Sequence, residues 1–559
     1  MLGKYLKLLQ RIISIILSIF ALFHLKYLFF AETSLLAHQQ NQVTQFSAII
    51  LALLLLLKFT VSKDLKYNIR FSLFDLVFIV LLFAVPGSNR VFQSYLIIRQ
   101  SYVFIRFLIN RFDEGKLWLL LVNNPPVILL VSFLAAIIIG ALLLMLPNAT
   151  VQGARTSLMG ALFTSTSATC VTGLIVYDTG THFTLFGQGV ILFLIQIGGL
   201  GIMTISSAFA VLMGQKMSMK RESMMQSMVG GANRLDMRNL VRNVVFATIL
   251  IELVGAAILY FTFQQEFYST QKAIYYSVFH SVSAFCNAGF SLYANSFMDF
   301  KFNYNINFAI TSLIIMGGIG FPVLSDIRQN FMKRNGLKRL SLQSKIVLSM
   351  TVILIFIGII GFFVAEYHNL MAGFTFSERL STSFFQSVTT RTAGFNTIDN
   401  SSLSKSSVLL STFLMFVGAS PSSTGGGVKT TTFAVIIISV WAMFGNRDVN
   451  IFKRRVADNL VKRVMALIAI SFLVVFTVLF FLFISEDLDF QKLLFESISA
   501  FGTVGLSMGI TAELSAIGRG LIIFLMYFGR VGPLTLIFAI SETQQKSHFK
   551  FTEEKFSIG

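Results

Sequence analysis

A nine-residue pattern that recurs four times constrains this 559-residue chain more than any other feature. Each copy ends in glycine, and the copies read STSATCVTG (165–173), SVSAFCNAG (281–289), QSVTTRTAG (386–394) and SISAFGTVG (497–505). The four glycines are 116, 105 and 111 residues apart, and another glycine follows each of them 24 to 28 residues later in an apolar segment. Because this period exceeds that of solenoid repeats, each unit is predicted to be a subdomain of helix, re-entrant loop and helix.

Composition indicates that these subdomains lie in a lipid bilayer. Hydrophobic residues make up 55% of the chain and charged residues 12%, whereas about a quarter of the residues in soluble domains are charged. Apolar runs of suitable length predict four leading spans, near 9–30, 45–62, 71–86 and 92–110. Two outer spans are predicted in each repeat, near 125–147 and 183–213, 241–263 and 306–327, 345–365 and 406–440, and 463–485 and 517–540. The predicted fold class is an all-α polytopic membrane protein.

The four repeated glycines suit a cation pathway across the bilayer. A cation that loses its water shell needs oxygen ligands, which backbone carbonyls supply without adding a fixed charge. Glycine adopts positive φ freely, so four such segments can turn their carbonyls towards a shared axis. Irregular backbone at membrane depth is tolerated where it lines a cavity. The sequence therefore predicts four pore loops around one pathway, and the alternative of simple tight turns does not account for four copies in register.

The motifs resemble the Trk/Ktr/HKT superfamily of potassium transporters, in particular the ion-translocating membrane subunits of the Ktr and Trk type. The resemblance extends over roughly 120–545 and is carried by ATCVTGL (168–174), AFCNAGFS (284–291), TRTAGFN (390–396), GTVGLSMG (502–509) and GRVGPLT (529–535). In that family, glycine at all four positions accompanies potassium selectivity, and serine at the first accompanies sodium in some plant members. The resemblance implies a potassium filter formed by the carbonyls of Val171, Thr172, Gly173, Asn287, Ala288, Gly289, Thr392, Ala393, Gly394, Thr503, Val504 and Gly505.

A second feature is the interruption of the third repeat by GASPSSTGGGVKT (418–430). Proline and three successive glycines disfavour a continuous helix there. Arg530 lies inside the last apolar span, where a charge is costly, and is expected to face the pore. The resemblance implies an intramembrane gating loop beside this arginine, with gating residues Gly425, Gly426, Gly427, Lys429 and Arg530. The alternatives are an ordinary kink and an arginine that only ties two helices together.

Basic residues predict the orientation of the chain. They cluster after the first three repeats, within 216–242, 328–345 and 447–463, and such clusters mark cytoplasmic connections. With four leading spans, the N terminus is expected on the same side, and the protein is predicted to be a multi-pass protein of the plasma membrane, the inner membrane in a bacterium. The net charge of +19 is explained by this distribution, so nucleic acid is not an expected partner.

The predicted domains follow from the spans and the repeats. They are an N-terminal membrane domain of about four spans (1–115), four pore repeats (120–215, 235–335, 340–445 with the gating loop, and 460–545) and a cytoplasmic tail (546–559). The fourth span carries Arg90, Arg99, Arg106 and Arg111 at spacings of 9, 7 and 5 residues. A voltage sensor usually carries a basic residue at every third position, so packing or docking is the favoured role of this domain. Glu252, in another span, has no assignable partner.

The leading functional hypothesis is potassium uptake through the pore, with no chemical step. The alternatives are a sodium-permeable pathway or an alternating-access cation symporter, although such symporters usually have two inverted repeats. An enzyme is not expected, because the pore segments offer no paired carboxylates or metal-ligand cluster. No cofactor is expected in this chain, with potassium as the substrate. The resemblance implies a homodimer that carries a ring of cytoplasmic nucleotide-binding regulatory subunits.

Overall fold

The structure is a computed structural model that describes residues 44–52, 95–96, 99, 125–151, 156–201, 237–267, 269–332, 340–445 and 447–532. The chain divides into two compact units, Met1–Asn123 and Asn124–Gly559. In the first unit, residues 44–52 are helical. Most of the predicted leading spans, the C-terminal tail and most of the first basic connection lie outside the described residues, so these predictions are untested.

The second unit is built from helices in a recurring order. The first repeat contains α1 (Pro125–Leu144), α2 (Leu158–Thr169), the short α3 (Thr179–His182) and α4 (Leu185–Leu200). The second contains α5 (Met237–Glu266), α6 (Thr270–Phe285), α7 (Tyr304–Ile319) and α8 (Phe321–Met332). The third contains α9 (Leu342–Ala365), α10 (Phe376–Thr389), α11 (Lys405–Phe416) and α12 (Thr430–Phe444). The fourth contains α13 (Asp458–Ser485), α14 (Phe490–Gly502) and α15 (Ala516–Val531).

Strand structure within the described residues is confined to one hairpin and two isolated bridges. The hairpin pairs β1 (Asn450–Ile451) with β2 (Arg454–Arg455) in an antiparallel ladder between α12 and α13. One bridge joins Thr150 to Phe183 and the other joins Val417 to Val428. The prediction of an all-α fold is therefore confirmed for the described residues.

Three described helices are long and apolar enough to cross a membrane, namely Asn243–Glu266, Leu342–Ala365 and Asp458–Ser485. Large apolar side chains such as Phe356 on α9 and Phe472 on α13 are exposed on their surfaces. A soluble protein rarely exposes contiguous apolar surface on this scale. These faces are therefore suited to contact lipid.

The short helices α2, α6, α10 and α14, here called the half-helices, precede the four glycine motifs and end where those motifs begin. Their starts follow ordinary capping rules, because the hydroxyl of Ser157 accepts a hydrogen bond from Gly160 and Thr375 forms a capping box with Glu378. The ends of the half-helices are buried within the repeat bundle. Because the half-helices end inside the bundle, the surrounding helices must approach them closely.

Close approach is achieved by glycines on the long first helix of three repeats. A Cβ atom on Gly140, Gly255 or Gly358 would collide with the hydroxyl of a half-helix serine, which is Ser165, Ser281 or Ser387 respectively. Each serine donates to a carbonyl of that first helix, at Ile137, Glu252 or Ile355, over 2.6 to 2.8 Å. The fourth repeat departs from this arrangement, because Ser497 donates to Leu493 in its own helix.

The second helix of the second repeat differs from the sequence prediction. A continuous span was predicted near 306–327, but the chain bends by 98° between α7 and α8. The bend occurs at Gly320, where φ is +95°, and Pro322 follows two residues later. Glycine permits this φ, and proline is tolerated in the first turn of the new helix that begins at Phe321, so the local sequence explains the break that the apolar pattern concealed.

Candidate functional site

The four glycine motifs form loops with the same backbone conformation. Loop 1 is 171–173, loop 2 is 287–289, loop 3 is 392–394 and loop 4 is 503–505. The first residue of each loop has positive φ, which is 56° at Val171, 58° at Asn287, 70° at Thr392 and 50° at Thr503. The last residue is glycine with φ of 94°, 71°, 78° and 92°, in the order of the chain. Non-glycine residues adopt this conformation rarely, so its recurrence marks a common structural requirement.

Hydrogen bonds hold the middle residue of each loop to its half-helix. The N–H groups of Thr172 and Ala288 donate to the backbone carbonyls of Ser167 and Ser283 over 2.8 Å. Those of Ala393 and Val504 donate to the backbone carbonyls of Thr389 and Ser499 over 3.0 and 2.9 Å. Within the described residues, no hydrogen bond ends on the carbonyl oxygens of these four middle residues. The N–H of each middle residue is therefore satisfied, while its carbonyl stays available as an ion ligand.

The loops meet in a closed ring that follows the order of the chain. A Cβ atom on Gly173 would lie 2.6 Å from the carbonyl oxygen of Ala288, and one on Gly289 would lie 2.8 Å from that of Ala393. Cβ atoms on Gly394 and Gly505 would collide with the carbonyl oxygens of Val504 and Thr172. Loop 1 thus adjoins loops 2 and 4, and loop 3 adjoins the same two loops. Each glycine is required both by its φ and by the adjacent carbonyl.

Side chains add contacts around the ring. The side-chain amide of Asn287 and the hydroxyl of Thr392 form a 3.2 Å hydrogen bond between loops 2 and 3. The hydroxyls of Ser167 and Ser499 accept hydrogen bonds from Gly173 and Gly505 over 3.0 and 3.1 Å. All twelve residues predicted as filter residues therefore lie in this one cluster of loops.

The predicted interruption of the third repeat is present, and the residues between α11 and α12, 417–429, are here called the break segment. Its Gly426 donates to the hydroxyl of Thr503 in loop 4 over 2.9 Å. A Cβ atom on Gly425 would collide with the hydroxyl of Thr392 in loop 3. The hydroxyl of Thr424 donates to the last carbonyl of α6 over 3.3 Å. The break segment is thus packed directly against the ring.

Cationic side chains hold the break segment in place. The ammonium of Lys429 donates to the carbonyl of Gly425 over 2.7 Å, within the segment itself. The guanidinium of Arg530 donates to the carbonyls of Thr424 and Gly198, and so joins α15 to both the break segment and α4. Carbonyl acceptors compensate part of the cost of a buried cation. The structure therefore brings the five predicted gating residues to one place beside the ring.

Glu252 has partners that the sequence did not indicate. One carboxylate oxygen accepts from the side-chain amide of Gln196 over 3.4 Å, and the other accepts from the Cys286 thiol over 3.9 Å. The three residues come from α5, α4 and the end of α6, which are remote in sequence. The sequence does not show which helices pack together, so it does not show which polar residues in apolar spans are partners. This cluster could therefore not be derived from the motifs.

Comparisons with known proteins agree with this geometry. The chain matches the family described as "TrkH: Cation transport protein" over residues 103–550. It is 41% identical to the Ktr system potassium uptake protein B of Bacillus subtilis over 414 residues, which cover 74% of this chain and 92% of that protein. It is 36% identical to the potassium/sodium uptake protein NtpJ of Enterococcus hirae over 434 residues, which cover 76% of this chain and 94% of that protein.

A solved structure supports the fold. The crystal structure of the potassium transporter TrkH from Vibrio parahaemolyticus superposes with a TM-score of 0.61 at 17% identity, and covers 90% of this chain and 99% of that one. At this identity the match shows the fold alone. The family match covers most of the chain, and it confirms both the resemblance inferred from the motifs and the prediction of a transporter instead of an enzyme. The chain belongs to the TrkH family of cation transport proteins.

Proposed function

We propose that this protein mediates potassium uptake and that the ring of loops 1 to 4 is its selectivity filter. The observation that supports this most is the shared backbone of the four loops, with positive φ at the first and last residue of each and a free carbonyl between them. Rings of backbone carbonyls replace the hydration shell of potassium in selective channels. The twelve residues of the loops are the proposed potassium ligands, through their carbonyl oxygens.

Potassium is favoured over sodium by two considerations. The family resemblance associates glycine at the end of all four loops with potassium, and Gly173 meets this condition in loop 1. Relatives at 41% and 39% identity carry the name potassium uptake protein. A sodium-permeable pathway is the second candidate, because another relative is named a potassium/sodium uptake protein.

The break segment is proposed to gate this pathway, with Arg530 as its latch. The segment touches loops 3 and 4, and the guanidinium of Arg530 joins it to α4. Breaking these hydrogen bonds would free the segment to move away from the ring, and the cationic group itself opposes the passage of cations. Lys429 is proposed to keep the glycine-rich part of the segment folded.

The assembly and location of the protein are proposed from the family. The membrane subunit is expected to form a homodimer in the plasma membrane, with its N terminus in the cytoplasm and a ring of nucleotide-binding regulatory subunits on the cytoplasmic face. The basic connections within 328–345 and 447–463 offer positively charged docking surfaces on that face.

Flux measurements in proteoliposomes test the filter. Potassium and sodium gradients are compared for the wild-type protein, for Gly394→Asp and for Gly373→Asp. The first variant places a carboxylate in the ring. The second adds the same carboxylate at an exposed position of the same repeat where nothing lies within 4 Å. We expect selective potassium flux that is lost or becomes unselective only in Gly394→Asp, and equal, unaltered flux of both ions in all three proteins would contradict the filter.

The gate is tested by replacing its latch. Arg530→Ala is expected to raise potassium flux in protein reconstituted without regulatory subunits. Arg519→Ala serves as the control, since Arg519 lies near the start of the same helix and its guanidinium donates to the nearby carbonyl of Ala512, over 2.8 Å. Unchanged flux together with lowered thermal stability in Arg530→Ala would show that the arginine only ties helices together.

A further inference from the structure

The residue that precedes the repeated pattern in each half-helix distinguishes two repeats from the other two. This position, nine residues before the loop glycine, holds Thr164, His280, Phe385 and Glu496 in the four repeats. All four side chains are buried. Phe385 carries no polar atom, and the hydroxyl of Thr164 has no hydrogen-bond partner among the described residues. Only His280 and Glu496 accept hydrogen bonds from the chain that follows their loops.

His280 binds the chain that leaves loop 2. Its Nε2 atom accepts from the backbone N–H of Leu292 over 3.2 Å and lies 3.1 Å from the hydroxyl of Ser291. Because Nε2 accepts, Nδ1 carries the proton, and it donates to the carbonyl of Tyr276 over 2.8 Å. The ring stacks on Tyr293 with centroids 5.3 Å apart. The imidazole is therefore fixed in orientation and in tautomer.

Glu496 binds the chain that leaves loop 4. Its Oε1 atom accepts from the hydroxyl of Thr511, which lies 3.0 Å from the hydroxyl of Ser507. Ser507 in turn accepts from the N–H of Gly509 over 3.0 Å. The other carboxylate oxygen, Oε2, is buried and has no hydrogen-bond partner in the part of the chain that the structure describes. A fully buried carboxyl group is costly, so its retention here calls for a role.

The two acceptors occupy corresponding places on opposite sides of the ring. Ser291 and Ser507 each stand two residues after the loop glycine, and each belongs to the network of the acceptor in its own half-helix. Loops 2 and 4 are both adjacent to loops 1 and 3 but not to each other in the ring. Loops 2 and 4 are thus each followed by chain that is bound to a buried acceptor in the half-helix. In repeat 3 the half-helix instead donates to the following chain, from Thr389 to the carbonyl of Phe395 and from Gln386 to the side chain of Asn400 over 3.1 Å.

We propose that His280 and Glu496 are positioning residues that set ion discrimination by fixing the chain beyond loops 2 and 4. The proposal rests on the proposed function of the ring as a potassium filter. Discrimination between potassium and the smaller sodium ion depends on the size of the carbonyl ring and on the resistance of the carbonyls to rearrangement. A loop whose following chain is bound to a buried side chain cannot shift its glycine without breaking that hydrogen bond. Neither side chain needs to touch the ion.

The test separates hydrogen bonding from charge at Glu496. Apparent KM for potassium, maximal rate and the potassium-to-sodium flux ratio are measured in proteoliposomes for Glu496→Ala and Glu496→Gln. Glutamine keeps an oxygen that can accept from Thr511, and its amide occupies the place of Oε2, which has no hydrogen bond to lose. We expect Glu496→Ala to raise KM at least several-fold and to lower the flux ratio about tenfold, with Glu496→Gln within twofold of wild type.

Three further variants complete the design. Thr511→Val removes the donor while Glu496 stays in place. If Glu496→Ala does not fold, this variant tests whether the hydrogen bond affects ion discrimination. His280→Phe places in repeat 2 the residue that repeat 3 carries, and it should also lower the flux ratio. Thr164→Val is the control, because its hydroxyl has no hydrogen bond to lose; it should leave the ratio unchanged.

Two results would overturn the proposal. A wild-type KM and flux ratio in Glu496→Ala and in Thr511→Val would show that the hydrogen bonds beyond loop 4 do not affect discrimination. Equal defects in Glu496→Gln and Glu496→Ala would assign the effect to negative charge instead of position. Failure of the filter itself is recognised separately, because the wild-type protein would then show no selective potassium flux.

Discussion

Gly173 packs against Ala288 of the adjacent loop so closely that a Cβ atom on Gly173 would lie 2.6 Å from the Ala288 carbonyl oxygen. The same relationship joins each loop glycine to the middle residue of an adjacent loop, and it closes the ring. A side chain at any of the four positions must therefore displace a carbonyl that is a proposed ion ligand.

The first prediction concerns this contact. Gly173→Ala combines a φ of +94°, which costs an alanine about 1–2 kcal/mol, with the collision at Ala288. We expect potassium flux to fall by roughly tenfold or more, since about 1.4 kcal/mol corresponds to a factor of ten. Gly189→Ala on α4 is the control, because nothing lies within 4 Å of the added atom. Flux in Gly173→Ala equal to that of the control would show that the ring tolerates the methyl group.

The second prediction concerns the contact between α15 and α14. A Cβ atom on Gly529 would collide with the carbonyl oxygen of Phe501, and Gly198 and Gly317 stand in the same relation to Thr169 and Phe285. Overpacking of this kind typically costs about 1–3 kcal/mol, so Gly529→Ala is expected to lower the thermal unfolding temperature.

The control for this variant lies on the same helix. Gly520 has nothing within 4 Å, and replacing a helical glycine by alanine stabilises a helix by up to about 1 kcal/mol. Gly520→Ala should therefore leave the unfolding temperature unchanged or raise it. The close contact at Phe501 would be disproved by similar unfolding temperatures in both variants, measured in the same detergent.

The third prediction concerns pH and Glu366, which follows the end of α9. Burial raises the pKa of Glu366, but hydrogen bonds from Ser407, Ser404 and Asn369 outweigh burial and hold the pKa below its ordinary value. The N–H of Ser404 and the amide of Asn369 donate to the carboxylate over 2.9 and 2.7 Å. A carboxylate with a lowered folded-state pKa stabilises the fold above its unfolded pKa of about 4.3, and the stabilisation is lost as the pH falls through the folded-state value.

Unfolding temperatures measured across pH check this expectation. Glu366→Gln should be less stable than wild type at pH 7, and the difference should shrink in acid as the wild-type carboxylate is protonated. Glu513→Gln is the control, because Glu513 is exposed. A difference between wild type and Glu366→Gln that stays constant with pH would contradict the assignment.

The sequence was sufficient to locate the loops and the break segment because both depend on local chemistry. Four glycines in register with a shared preceding pattern predict four equivalent turns, and Pro421 with three glycines predicts a break in the third repeat. These features require no knowledge of which helices pack together. The resemblance then supplied the expected role of each residue.

Contacts between distant helices were not predictable in the same way. The acceptors of Arg530 are backbone carbonyls of Thr424 and Gly198, and a carbonyl leaves no mark in the sequence. The partners of Glu252 are uncharged, so charge complementarity gave no signal. The bend at Gly320 was hidden by continuous apolarity, although Gly320 and Pro322 together were a usable warning.

The closure of the ring within a single polypeptide has a consequence for how the proposed filter can diversify. In an assembly of four identical subunits, one codon change alters every quarter of the pore at once. Here each quarter has its own codons, so Asn287, Thr392 and their counterparts can drift separately while the glycines stay fixed. A substitution can accordingly be made in one loop at a time, so a series of mutants can show graded changes in permeability.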